Sequence, residues 1–258
     1  MLTINNISGH GYGQTQIEKL HEWGFRIRAP VSRFAGSQRL RFVDFSTGPS
    51  LEFIEVESEC QYFDFLPKGM VPYCPGVNLL IPQSSSRDIG DYRRTHHAWG
   101  ANPRHVNYDG SDEPNKPGWN FLNFDVPVVR DTFIYLTQLD DPQPDRKTDT
   151  DHPNSAKQVR GLVFTLDEEE LAKLAKLAGA RMVAGTIDLD CVQIWSSKAM
   201  QNDRILPEKR FPLAVVVIKA NSLDLFVGKK DVTVVEFESR PAAYIKTIDV
   251  SWDMLITT

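Results

Sequence analysis

Cysteine is scarce in this chain: Cys60, Cys74 and Cys191 are the only three in 258 residues. None forms a CxxC pair and the count is odd, which argues against a disulfide framework and for reduced thiols in a cytoplasmic protein. Long apolar runs are also missing. No stretch approaches the ~20 residues of a bilayer-spanning helix, so no membrane is expected as a partner. The opening Met-Leu-Thr-Ile-Asn-Asn lacks the charged and apolar regions of a signal peptide. Basic charge is not in excess. The 29 Lys and Arg face 34 Asp and Glu, a net charge of -5, which gives no reason to expect nucleic acid. No GxSxG, P-loop, HExxH or GxGxxG occurs. Gly9-His10-Gly11-Tyr12-Gly13 is glycine-rich but wrongly spaced for a dinucleotide fingerprint, and reads as a strand-to-helix connection.

What is present is an ordinary globular composition, 41% hydrophobic and 24% charged, with a mean hydropathy of -0.33. Such a chain buries a real core, roughly three quarters of its unfolded surface. Residues 2–8 alternate loosely as a first strand. Ile17, Leu20 and Trp23 fall on one helical face, and Gly24 closes that helix. Three period-two stretches follow, Phe25–Arg28, Arg39–Phe45 and Ser50–Glu57, with a Ser46-Thr47-Gly48-Pro49 turn between the last two. The order is β-α-β-β-β over residues 1–59.

A second copy is predicted over 158–230. A strand at 159–166 leads to Asp167, a good N-cap. Glu168, Glu169 and Glu170 then suit the positive end of the helix dipole. Leu171, Leu174 and Leu177 supply the buried stripe, and Gly179 the C-cap. Strands are expected at about 181–195, 211–219 and 222–227. Residues 60–157 read as a connecting segment with an insert, rich in Pro, Asn, Asp and aromatics, with a polar loop from Asp140 to Asp151. Residues 231–258 read as C-terminal strands. The fold class is α+β: two βαβββ modules and a long irregular connection.

Two strands carry an acid among apolar neighbours: Glu52 in Leu51–Glu57 and Asp224 in Ser222–Phe226. Burying a carboxylate costs several kcal/mol, so a strand that accepts one usually uses it. Glu52 shares parity with Ile54 and Val56 and opposes Leu51 and Phe53. It reads as a general base or ligand in a cavity, or as a solvent-facing residue. Asp224 reads the same way, or as part of a turn. His96, His97 and Trp99 sit in an arginine-rich insert over 83–118. That insert is either a flap whose cations draw an anionic substrate or a solvated excursion.

Ser37–Phe42 leading to Leu51–Val56, Asp151–Ala156 before the strand at 159–166, and Pro75–Asn78 before Leu79-Leu80-Ile81-Pro82 together resemble the vicinal oxygen chelate superfamily. The resemblance is nearest the glyoxalase-like domain proteins within it. It implies duplicated sheets curled around a cavity. It further implies a divalent metal (Zn, Fe, Mn or Ni), with one ligand on the first and one on the last strand of each module. The last-strand positions match Glu52 and Asp224. The first-strand positions fall near Ile4-Asn5-Asn6 and Gln158-Val159-Arg160, where no His or Glu stands, with His10 and His152 just outside. The candidate site residues are then Glu52 as the catalytic acid; Glu52 and Asp224 as metal ligands, with His10 and His152 either substituting on the first strands or serving as loop residues; and Arg39, His96, His97 and Trp99 as substrate contacts. The implied activity is metal-assisted isomerase, lyase or dioxygenase chemistry on a small oxygenated metabolite. The alternative is a binding protein of the same fold that sequesters a small molecule. A homodimer is among the assemblies expected.

Overall fold

The computed structural model describes residues 1–10, 14–33, 38–56, 66–67, 69–70, 73–108, 113–114, 116–140, 149–198, 211–247 and 251–258. Gly11, Gly13, Glu57, Cys60 and most of the Asp140–Asp151 loop lie outside the described residues.

The first module has the expected order: β1 (Thr3–His10), α1 (Gln14–Glu22), β2 (Val31–Arg33), β3 (Gln38–Val43) and β4 (Ser50–Val56), but Phe25–Arg28, expected as a strand, is irregular chain and the short strand follows it. Ile17, Leu20 and Trp23 are buried together, and Gly24 follows at φ 80°, the left-handed turn a side chain would resist. Residues expected as connection then build a second unit of the same order: β5 (Gly76–Leu80), α2 (Ile89–Thr95), β6 (Ala101–Asn107), β7 (Gly118–Phe124) and β8 (Phe133–Leu139). The insert over 83–118 is therefore mostly the helix and edge strand of a module. Its polarity follows from position: β6 closes one end of the sheet, where Pro103 breaks no ladder and charged side chains face water. A reciprocal capping box of Asp88 and Asp91 starts α2.

The third unit is β9 (Ala156–Phe164), α3 (Glu168–Ala178), β10 (Met182–Val183), β11 (Thr186–Leu189) and β12 (Val192–Ser196); the stretch expected as one strand at 181–195 is three short ones, so this module closes at Ser196 and the strand expected at 211–219 opens the next. Asp167 caps α3 by accepting from Glu170 N–H at 2.8 Å, a contact worth about 1 kcal/mol. The fourth unit is β13 (Leu213–Ala220), β14 (Val232–Phe237), β15 (Arg240–Ile245) and β16 (Asp253–Thr257). The expected strand at 222–227 is a run of turns in the place of this unit's helix. Asp224 N–H donates to Ser222 Oγ, and Leu223 C=O accepts from both Phe226 and Val227. Only Phe226 of that run is buried.

Each pair of units shares one eight-stranded sheet. The orders are β2-β3-β4-β1-β5-β8-β7-β6 and β10-β11-β12-β9-β13-β16-β15-β14. The helix-bearing faces of both sheets meet in one core. Leu51, Phe53 and Val77 of the first join Leu162, Phe164 and Ile218 of the second. Leu2 N–H donates to Ala178 C=O at 2.9 Å across this contact, and Lys19 pairs with Asp231 at 3.2 Å. The opposite face of each sheet points away from that core, and its side chains are largely buried as well. Among the described residues no helix is long and apolar enough to cross a membrane.

Candidate functional site

Strand parity sorts the first sheet. Ile7, Leu51, Phe53, Val77 and Leu136 face the helices. Register then places Asn6, Ser8, His10, Glu52, Ile54, Asn78, Tyr135 and Thr137 together on the opposite face. The four central strands are the first and last strands of both modules: β1 supplies Asn6, β4 Glu52, β5 Asn78 and β8 Tyr135. Ser8 sits opposite Glu52 and Gly76, and Asn78 opposite both Asn6 and Tyr135.

These side chains bond in one direction. Thr137 Oγ1 donates to Asn78 Oδ1 at 2.7 Å, and Asn78 Nδ2 donates to Asn6 Oδ1 at 2.8 Å. Asn6 Nδ2 then donates to Glu52 Oε2 at 2.5 Å. Each amide's flip is set by the partner before it, so the chain delivers N–H donors to the carboxylate. Glu52 is 8% exposed and Asn6 7%. Tyr135 stands beside them. Burial, then the charge of Glu52, raise its phenol well above the ordinary range, against an opposing hydrogen bond from Asn6. Apolar side chains flank this polar centre: Leu40, Phe42 and Ile54 on one side, Met70, Cys74 and Phe133 on the other. Burial pushes the Cys74 thiol up to about 12, so it is no nucleophile at neutral pH.

The other expected site residues lie elsewhere, except His10. That ring is buried on the Glu52 face, edge-on to Tyr73 at 6.1 Å, and burial lowers it to about 4. Asp224 is exposed on its turn. His152 accepts from Arg26 N–H at Nδ1, 3.0 Å, and donates from Nε2 to Asp44 C=O, 2.9 Å. Both ring nitrogens are thus committed to main chain, and the ring clamps the Arg26 and Asp44 segments between Phe25 and Phe45. Its pKa is lowered, chiefly by burial. Arg39 has the parity of Glu55, its ion-pair partner at 3.7 Å, and so opposes the Glu52 face. His96 stacks on Trp99 at 4.5 Å against Phe124, on the helix side. His97 is exposed, its Nδ1 3.0 Å from Arg94 C=O.

A second buried acid stands on β16, Asp253, opposite Val215 and fully buried. Its carboxylate accepts from Thr247 N–H at 2.8 Å, from Thr247 Oγ1 at 3.1 Å and from Tyr244 O–H. The same signal was present in the sequence, a carboxylate inside Trp252-Asp253-Met254-Leu255-Ile256. The rest of this face is apolar. Val163, Trp195, Val215, Val217 and Leu255 fill it, and Trp195 lies over Gly161 on the first strand of the third unit.

A metal of the kind the fold implies does not fit these donors. The polar face of the first sheet offers one carboxylate, two amides, hydroxyls and a single imidazole, His10, which pairs with Ile54 rather than Glu52 and turns to Tyr73, whereas Zn, Fe and Ni favour several imidazole or thiolate ligands. The amide oxygens are turned toward neighbouring N–H and O–H groups rather than toward a common centre. Among the described residues no group of three or more His, Cys, Asp or Glu is placed to hold an ion.

No family model matches the chain. No curated protein matches it by sequence. Solved structures do match by shape. The 2,3-dioxygenase LapB from Pseudomonas sp. KL28 aligns over 99% of this chain and 92% of its own, at 10% identity and TM-score 0.52. The 2,2',3-trihydroxybiphenyl 1,2-dioxygenase of Sphingomonas wittichii strain RW1 covers 99% and 89%, at 8% identity and TM-score 0.54. The Mn(II)-bound glyoxalase from Novosphingobium aromaticivorans covers 98% and 81%, at 11% identity and TM-score 0.53. Identity this low shows shared architecture alone. The chain has the doubled vicinal oxygen chelate fold, with four β-rich units in two sheets.

Proposed function

We propose that this protein binds a small oxygenated molecule on the face of its first sheet that points away from the helices, with Glu52 as the polar anchor and no transition metal. The observation that carries this is the one-way chain Thr137–Asn78–Asn6–Glu52, which presents a buried carboxylate between apolar flanks. Ligand sites are commonly apolar surfaces with a few fixed polar groups. A hydroxyl on the ligand donates to Glu52, and its carbon skeleton packs on Phe42, Ile54 or Phe133.

A second reading is metal-assisted chemistry on a vicinal-oxygen substrate. It is favoured by the fold neighbours, which include dioxygenases and a Mn(II)-bound glyoxalase. A bound divalent ion would polarise adjacent substrate oxygens there. One experiment separates the two. Protein purified without added metal is assayed for metal content, then titrated calorimetrically with catechol, a vicinal diol, with and without Mn(II). The binding reading expects substoichiometric metal, and a catechol heat that needs no Mn(II) and vanishes in Glu52→Ala. Stoichiometric metal that Glu52→Ala removes would overturn it in favour of the second.

A further inference from the structure

His105 lies on β6, where the hairpin to β7 returns, and its ring meets acceptors at both nitrogens. Nδ1 is 3.1 Å from Asn120 Oδ1 and 3.8 Å from Asp140 Oδ2. Nε2 is 2.9 Å from Asn107 Oδ1 and 3.0 Å from Lys116 C=O. Neither amide is free to turn and offer a donor instead. Asn120 Nδ2 donates to Asp140 Oδ1 at 2.5 Å, and Asn107 Nδ2 donates to Glu113 C=O at 2.7 Å. A neutral imidazole carries one N–H, so one of its nitrogens would set a lone pair against an oxygen lone pair. An imidazolium donates from both and satisfies both sides.

We propose that His105 is a protonation-controlled clasp: as imidazolium it ties Glu113, Lys116 and Gly118 of the returning arm to β6 and to the end of β8, and as neutral imidazole it loosens them. The charged groups around it fit that assignment. Asp140 approaches from the end of β8, and its Oδ2 also accepts from Gly118 N–H at 2.9 Å. The ammonium of Lys116 is drawn aside to Glu113 at 3.1 Å. The ring's pKa is raised from 6.5, first by the Asn120 hydrogen bond. Desolvation opposes this, while Asn107, Lys116 C=O and the charge of Asp140 add to it. A raised folded value means the clasp contributes fully below pH 6.5 and is lost as pH climbs through the folded value. The arm leads into Trp119, which packs edge-on to Tyr108 at 4.8 Å and shares the sheet face of Phe121 and Thr137. Loosening the arm therefore reaches the rim of the face that carries Glu52.

The test is nitrogen-detected NMR of the histidine rings, with His105 assigned by its absence in His105→Gln. The wild-type ring is expected doubly protonated at about pH 6, with a midpoint above the ordinary value. Each unit of that excess multiplies the closed-to-open ratio about tenfold. Hydrogen exchange of peptides covering 113–120, corrected for intrinsic rates, should show protection falling severalfold between about pH 6 and about pH 8. In His105→Gln the protection should be flat with pH. A wild-type midpoint at or below 6.5, or the same fall in His105→Gln, overturns the proposal. Asn107→Leu removes one acceptor and must lower the midpoint; an unchanged midpoint there also overturns it, whether or not His105→Gln folds.

Discussion

Gly161→Ala tests whether the second sheet's interior is a filled core. A Cβ at Gly161 would lie 2.0 Å from Trp195 Cζ3, 2.5 Å from Cη2 and 2.6 Å from the Gln193 carbonyl oxygen. Gly161 is a mid-strand residue of β9, so the penalty is steric. The indole has little room to retreat, because Trp195 is 7% exposed, Phe237 meets it edge-on at 6.0 Å, and Arg160 lies over both rings. The carbonyl is part of the β9–β12 ladder and moves only with the strand. Overpacking of this kind costs ~1–3 kcal/mol, and two rigid obstacles put Gly161→Ala at the upper end, about 2–3 kcal/mol. Urea unfolding should show a midpoint lower by ~1 M with an unchanged slope. Trimming the obstacle should relieve part of the strain, so Gly161→Ala with Trp195→Leu should be less damaging than the sum of the two, by about 1 kcal/mol. A Gly161→Ala protein within about 0.5 kcal/mol of wild type would refute the account of this face as packed shut.

Other perturbations separate structural acids and histidines from decorative ones. Asp253→Ala removes the acceptor shared by Thr247 and Tyr244 and should destabilise by about 3 kcal/mol in the same urea assay. Asp224→Ala, on an exposed turn, should stay within about 0.5 kcal/mol; a larger loss would show that the turn carries a contact beyond its main-chain bonds. The folded His10 ring stays neutral down to about 4, while the unfolded ring takes a proton near 6.5. Its stabilisation is therefore present above 6.5 and lost as pH falls toward about 4, ~1.4 kcal/mol per pH unit. Wild type should lose about 2 kcal/mol more than His10→Asn between pH 7 and pH 5, and equal losses would contradict the burial argument. His152→Phe keeps the ring but drops the Arg26 and Asp44 bonds, and a cost below about 1 kcal/mol would show that those two bonds are not what the histidine contributes.

Local pattern alone carried most of the first unit, and the opening strand and helix of the third. Period-two strands, the Ile17–Leu20 stripe, the Asp167 cap and the C-cap glycines are signals within a few residues, and they hold whatever the rest of the chain does. Glu52 was legible for the same reason: its parity against Leu51 and Phe53 puts it on the face away from the helices. The second unit was not legible, because β6 is an edge strand whose residues need no apolar alternation and whose existence depends on pairing with β7. The fourth unit misled because its helix is replaced by turns, which made Ser222–Phe226 look like a closing strand with Asp224 on it. Which residues meet Glu52 was also decided only by folding. Asn6, Asn78, Tyr135 and Thr137 lie on three strands up to 131 positions apart, and antiparallel and parallel register alone brings them into one row. A sequence states which face a side chain takes on its own strand; which strand lies beside it is set by the packing of the whole sheet.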